Sequence, residues 1–389
     1  MQFLFHIGRS KDIAIAELGS LLGFDCMQAI DDEFLLIDSE ICLNQDFLDK
    51  LGGSIAIYKV LELFDAPLRV DKLSKLIAAD LELETSKINL AFGSKSIEKR
   101  DNLNVLKETK KILKSRKQSC RFVEKFSTAA LYGSGFAKDK VRAYRFVRMK
   151  GEYYFVKLFA LQDINSYSLR DYQKPYRDAK LGMHPPKLSQ IMLNLAGEAN
   201  VVYDPFCGTG TVLMEAALQH KVVVGSDIQP ENIFGTIKNL EWLRDNFDID
   251  YVEMNIFQSD ARQIDDMHNA DVIVTEGYLG KPKKGNETLT ELESEMSELQ
   301  SLYLSFLKKL SEVSKKEFSV VINFPLFAYK KEKIKFKNLV EKLKPLGYSV
   351  SALLPDLPEL GLREMETLLY KRDDQKVFRQ IVRLTFIPG

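Results

Sequence analysis

Apolar residues along this chain follow two patterns, one before and one after about residue 164. In the later part, short apolar runs ending on polar or glycine residues, "NVVYDPF", "KVVVGSDI", "DVIVTEG" and "FSVVINFP", are separated by segments of helical period. Such runs predict buried parallel strands, hence an α/β domain with a doubly wound, mostly parallel sheet over 164–389. After Gly347 the pattern shifts to strands joined by a charged hairpin, which predicts antiparallel strands at one edge of that sheet. In the earlier part, "FLFHIG" reads as a strand and "SKDIAIAELGSLLG" as a helix that Ser10 can cap and Gly23 can end. Strand-like "FLLIDS" and "SIAIYKVLEL" follow, so residues 1–60 are expected to form a small α+β unit. Over 61–163, "VRAYRFVRMK" and "EYYFVKLFALQ" alternate basic or aromatic with apolar residues, as a sheet does when one face is wet and cationic.

Charge sharpens this picture. The 389 residues carry 55 Lys and Arg against 55 Asp and Glu, so any attraction to a polyanion must be local. From Ala91 to Lys150 there are 17 Lys and Arg against five Asp and Glu. Within that block "NVLKETKKILKSRK" sets Val105, Leu106, Thr109, Ile112 and Leu113 on one helical stripe, with Lys107, Lys110, Lys111, Lys114 and Lys117 around the rest. One face suits burial and the other a phosphate backbone, which makes Lys107, Lys110 and Lys114 candidate RNA contacts; a solvated lysine-rich surface is the alternative. Cys26, Cys42, Cys120 and Cys207 form no CxxC pair, which argues against a disulfide framework and a structural zinc site and fits a reducing compartment. No metal is expected. No run approaches the roughly 20 apolar residues of a membrane span, and the first residues lack a basic leader. The expectation is a cytoplasmic protein, monomer or homodimer, without a membrane partner.

The stretch richest in chemistry is "VVYDPFCGTGTVLMEAAL". A strand ends at Asp204, a turn carries Gly208 and Gly210, and a helix starts about Thr211, so helix N-terminal N–H groups face the carboxyl end of the sheet, where ligands bind. About twenty residues on, Asp227 ends "VVVGSD" where a ribose-binding carboxylate is expected. Asp260, in "NIFQSDARQI", ends another strand. A dinucleotide fingerprint would require glycine where Leu213 stands, so the turn is not built for a pyrophosphate. Cys207 has no neighbouring histidine and reads as a packed turn residue rather than a nucleophile.

In this order DPFCGTG, GSDI and SDAR resemble the cofactor motifs of class I (Rossmann-like) methyltransferases. The resemblance implies S-adenosylmethionine (SAM) as cofactor and S-adenosylhomocysteine as product. Asp204 would meet the methionine amino group, Gly208 and Gly210 would border the methionine moiety, Asp227 would hold the ribose, and Asp260 would accept from the adenine amine. Phe206, Ile228 and Ala261 belong to the same motifs. The upstream segment "RDYQKPYRDAKLGMHPPKLSQIMLNLAG" is similar to the entry of methyltransferases that carry an N-terminal THUMP RNA-binding domain and modify the N2 amine of guanosine 10 in tRNA. This resemblance covers most of the chain, most strongly from about Gln162 to Asp260. It implies a ferredoxin-like unit over 1–60, a THUMP-like domain over 61–163, and tRNA or another structured RNA as partner. It also implies that Arg177, Asp178, Lys187 and the Met183-His184-Pro185-Pro186 run shape the pocket mouth. His184 itself reads as a packing or hydrogen-bonding residue.

The fourth parallel strand raises a question. Methylating an exocyclic amine requires its lone pair to be released from conjugation, which acceptors on the N–H bonds assist. Relatives supply these from Asp-Pro-Pro-Tyr, with the aromatic ring stacked on a flipped base. Here the turn reads Glu276-Gly277-Tyr278-Leu279. A carboxylate, a carbonyl and an aromatic face are present, without the prolines that would stiffen the turn. The expectation is that Glu276 and Gly277 orient the amine while Tyr278 or Phe324 stacks on the base. The enzyme readings are a tRNA guanine-N2 methyltransferase or a methyltransferase of another RNA base. The rival is a catalytically silent tRNA-binding protein with a SAM fold.

Overall fold

The computed structural model describes residues 1–177, 184–247, 249, 253–372 and 375–388. The chain divides into two compact units: Met1–Lys11, Gly23–Lys50 and Ser54–Asn165 form the first, and Asp12–Leu22, Leu51–Gly53 and Ser166–Gly389 the second.

The first unit is built on one eight-stranded sheet. Its strands are β1 (Gln2–Ile7), β2 (Met27–Ile30), β3 (Phe34–Asp38), β4 (Ser54–Phe64), β5 (Ile88–Gly93), β6 (Cys120–Phe122), β7 (Val141–Met149) and β8 (Glu152–Leu161), in the order β2-β3-β1-β4-β8-β7-β5-β6. Strands from 1–60 and from 61–163 thus share one hydrogen-bonded surface, joined by the antiparallel pairing of β4 with β8 from Ala56 to Phe64. The helices Val70–Asp80 and Lys99–Ser115 contribute Leu73, Ile77, Val105 and Leu113 to a core with Phe146 and Phe155. The helix Lys99–Ser115 buries Val105, Leu106, Thr109 and Leu113 at helical spacing, and Thr109 Oγ1 donates to Val105 O at 2.8 Å, so its own buried hydroxyl is met. Lys107, Lys110 and Lys114 stand exposed on the other face.

The second unit holds a nine-stranded sheet. Its strands are β9 (Val201–Asp204), β10 (Val222–Asp227), β11 (Met254–Gln258), β12 (Val272–Glu276), β13 (Phe318–Tyr329), β14 (Glu332–Ile334), β15 (Tyr348–Ser351), β16 (Thr367–Tyr370) and β17 (Val377–Phe386). The main order is β11-β10-β9-β12-β13-β17-β15, with β14 on β13 and β16 on β17. Strands β9 to β13 run parallel, and β17 is antiparallel to β13, β15 and β16. This is the doubly wound sheet with antiparallel additions that the apolar pattern predicts. The chain enters at β9, moves outward through β10 and β11, and returns to β12 on the other side. That reversal opens a crevice beyond the carboxyl ends of β9 and β12, where open α/β sheets bind ligands. Behind it, Tyr203, Ile273, Phe306 and Ile322 form part of a dry core. The helix Lys11–Leu22 contributes Glu17 to this unit, where the buried carboxylate accepts from Gly52 N, Gly53 N and Asn194 Nδ2 at 2.8 Å each. Among the described residues no helix is long and apolar enough to cross a membrane.

Candidate active site

After Asp204 the chain turns into the helix Thr211–Leu218. Gly208 and Gly210 have φ of +52° and +80°, a region that L side chains rarely enter, so the turn depends on glycine. A Cβ on Gly210 would also stand 2.9 Å from Thr236 Cγ2. Leu213, at the place of the missing third glycine, fits because Gly225 on β10 lacks a side chain: a Cβ there would lie 2.4 Å from Leu213 Cδ1. Close packing of helix on sheet is therefore kept by moving the glycine from helix to strand.

Three carboxylates stand at the ends of successive parallel strands. Asp204 is buried, and its Oδ1 accepts from Thr275 Oγ1 at 2.6 Å and Phe206 N at 3.1 Å. These donors are neutral, so burial dominates and pushes its carboxyl up to about 7. Asp227 accepts from Gly208 N at 3.0 Å, Gln229 N at 2.9 Å and Asn232 Nδ2 at 3.0 Å, which fixes it against the glycine turn. Asp260 caps a short turn through Arg262 N at 2.9 Å and pairs with the Arg262 guanidinium, Nη2 to Oδ2 at 2.6 Å. All three line one pocket of about 510 Å³, together with Phe206, Gly208, Ile228, Ala261, Glu276, Gly277 and Tyr278. Gly210 sits behind it as the helix cap. Cys207 is buried, its thiol pushed well up by burial and in contact with Thr236 Oγ1 at 3.7 Å, as expected of a packed residue.

The end of β12 is organised differently. Glu276 Oε2 accepts from Arg379 Nε at 2.5 Å and Asn323 Nδ2 at 3.0 Å, and Oε1 from Arg379 Nη2 at 3.0 Å. His184 Nδ1 lies 2.8 Å from Oε2, an ion-pair distance at which the ring is not aligned for a regular hydrogen bond. Burial alone would raise the carboxyl, but the charges of His184 and Arg379, with the Arg379 hydrogen bonds, prevail and bring it down to about 2. Glu276 thus lines the pocket as one member of an ionic cluster, and Arg379 and Asn323 already occupy acceptor sites that the expected amine would share. Gly277 packs on Tyr303, whose hydroxyl would lie 2.6 Å from a Cβ at that position. Tyr278 is 44% exposed, an aromatic face open at the pocket rim.

Other expected contacts are placed elsewhere. Phe324 is 1% exposed, its ring 5.2 Å from those of Tyr303 and Phe336, so it is a core residue and not a stacking platform. The Lys187 ammonium lies 4.9 Å from the centre of the Tyr167 ring and lines no part of the pocket. Arg177 is exposed. Asp178 and Met183 lie outside the described residues. His184, read as a packing residue, belongs to the pocket wall. Arg379 and Asn323 were not legible as site residues, although an arginine inside the apolar run "VFRQIVRLTF" is the kind of signal that marks a buried charge partner. Among the described residues no group of three or more His, Cys, Asp and Glu is arranged to hold a metal ion.

A doubly wound sheet with a glycine turn at a helix N-terminus and acidic residues ending three adjacent parallel strands defines a class I methyltransferase domain. Residues 174–325 match the family model UPF0020, described as RMKL-like, methyltransferase domain. The chain is similar to the tRNA (guanine(10)-N2)-dimethyltransferase of Methanothermobacter thermautotrophicus, with 38% identity over 101 residues, 25% of this chain and 28% of that protein. It is also similar to the tRNA (guanine(10)-N2)-dimethyltransferase of Methanocaldococcus jannaschii, with 33% identity over 150 residues, 33% of this chain and 42% of that protein. These matches span less than half the length of either relative. The fold is similar to the crystal structure of TrmN from Thermus thermophilus, with a TM-score of 0.51 and 14% identity over 100% of both chains.

Proposed function

We propose that the protein is a SAM-dependent RNA methyltransferase acting on the N2 amine of a guanosine in tRNA, of the position-10 type. The observation that carries this reading is the single pocket into which the glycine turn, Asp204, Asp227 and Asp260 converge. The residues present fit SAM: Asp204, buried among neutral donors, suits an ammonium group, and Asp227, fixed by three donors, retains acceptor capacity for a hydroxyl. Bound there, SAM supplies an electrophilic methyl group on sulfur. Tyr278 offers a ring at the rim for a base, and the exposed lysines of the helix Lys99–Ser115 offer charge for an RNA backbone. The names of the relatives support tRNA as the substrate class.

A second reading, a silent tRNA-binding protein that retains the SAM fold, is favoured by one observation: the carboxylate in the place of the usual amine acceptor is already paired with Arg379, Asn323 and His184. Transfer of labelled methyl from SAM to unmodified tRNA transcripts, with nucleoside mass analysis and an Asp204→Ala control, separates the two. The expected product is N2-methylguanosine at one position. A preparation that binds SAM and tRNA yet methylates no nucleoside would establish the silent reading.

A further inference from the structure

Glu276 already takes three hydrogen bonds from Arg379 and Asn323 and is held ionised by the charges of His184 and Arg379, which makes it a weak proton acceptor, so proton removal from a methylated amine falls to another group. We propose that His184 is the proton acceptor of the methylation, a catalytic residue held by Glu276, with Arg379 and Asn323 as positioning residues; this rests on the methyltransferase reading above. His184 stands in the pocket wall with its side chain only 9% exposed. Its Nε2 is buried and has no hydrogen-bond partner among the described residues. A buried polar atom without a partner is costly in a folded protein, and in the wall of a ligand pocket it points to a group that arrives with the substrate. On the other side of the ring, Nδ1 faces the Glu276 carboxylate at 2.8 Å. That carboxylate favours the tautomer with hydrogen on Nδ1 and leaves the Nε2 lone pair free to take a proton.

In the transfer, the amine nitrogen forms a bond to the methyl carbon while the carbon–sulfur bond breaks and its electron pair stays on sulfur. The cationic nitrogen then gives one proton to Nε2 and returns neutral, and the imidazolium releases that proton to solvent. Glu276 on β12 offsets the imidazolium charge, and Arg379 on β17 limits the effect. Asp204 on β9 lines the same pocket, and Tyr303 presents a neutral hydroxyl near Glu276.

Single-turnover methyl transfer to tRNA, with SAM saturating, is to be measured against pH in wild type, His184→Asn and His184→Ala. SAM binding by each variant checks that the site is folded. The expected result is a rate that falls on the acid side in wild type, a loss of about 100-fold at neutral pH in His184→Asn with KM for both substrates little changed, and recovery of His184→Ala by added imidazole. An acid limb arising from Asp204 would persist in His184→Asn, whereas one arising from His184 would vanish. An active wild type with unaltered rate and pH profile in His184→Asn overturns the role of His184 and leaves the proposed function standing. A wild type that binds both substrates without transfer overturns both.

Discussion

Asp204 and Glu276 end two adjacent parallel strands, their side chains are no more than about a tenth exposed, and both line the same pocket, yet their acidities move in opposite directions. Asp204 is pushed up to about 7 and Glu276 down to about 2. The difference lies in the donors. Asp204 receives a hydroxyl and a backbone N–H, neither charged, so desolvation decides. Glu276 receives a guanidinium and faces an imidazole, so charge decides. One strand end lacks a cation and suits one brought by a ligand; the other carries its own. The Asp204 side of the pocket is therefore left open to a cationic ligand, and the Glu276 side is already paired internally.

Removing the cation from the second site should give the largest effect. Arg379→Met strands the Glu276 charge in a buried place, and losing one partner of a buried pair costs about 3–5 kcal/mol. The unfolding temperature of the second unit should drop by about 6–20 °C, at roughly 2–4 °C per kcal/mol for a domain of this size. Adding Glu276→Gln should recover most of the loss, because two neutral groups leave no uncompensated charge. If the single and double variants melt alike, the pair is not holding this site. The sign with pH follows from the depressed carboxyl: the contribution of Glu276 is present above about pH 4.5 and is lost as pH falls through about 2.

The same operation on the first site should act on ligand rather than fold. Asp204→Asn should weaken SAM binding by about 2–3 kcal/mol, roughly 30- to 150-fold, by titration calorimetry. Because the ligand-free carboxyl titrates near 7 and a bound ammonium would lower it, wild-type affinity should fall with acid. Below about pH 7 the loss should approach tenfold per unit, with proton release on binding, and Asp204→Asn should be flat over that range. A flat wild-type profile would mean that no cation is seated against Asp204. In the free protein the raised carboxyl acts the other way on stability, which is greatest below about pH 4 and declines as pH rises through 7.

The two strand ends also differ in how legible they are in the sequence. The first site is local: Asp204, Gly208 and Gly210 lie in one turn, and Asp227 and Asp260 end the next two parallel strands, so motif and period suffice to find them. The second site is assembled by register. Asn323 reaches Glu276 because β13 pairs in parallel with β12 and sets the two residues side by side. Arg379 arrives from 103 residues away because antiparallel β17 sets it opposite Pro325. Period 2 also accounts for the misplaced Phe324: with Asn323 facing the cluster, the next residue must face the opposite side of the sheet, where Tyr303 and Phe336 enclose it. Likewise, the pairing of β4 with β8 joins segments some hundred residues apart into one sheet, and apolar pattern alone carries no information on partners.

The smallest expected effect belongs to the helix Lys99–Ser115, where two faces of one element can be set against each other. Lys107, Lys110 and Lys114 are exposed, and an exposed charge contributes less than about 1 kcal/mol each. Changing all three to Ala should lower tRNA affinity modestly and uniformly across sequences, and should reduce the slope of log affinity against log salt by about 0.7–0.9 for each phosphate no longer neutralised. Lys110, whose ammonium lies 5.0 Å from the centre of the Phe122 ring, should contribute least, since that ring competes with phosphate for the charge. Leu113→Ala on the buried face should do the reverse: about 2–5 kcal/mol of stability lost from the first unit, with the salt slope unchanged where the unit remains folded. Filter binding over a salt series, paired with thermal melts, reads both. An unchanged slope in the triple lysine variant would make that face a solvated surface and move the RNA-binding surface elsewhere in the basic block.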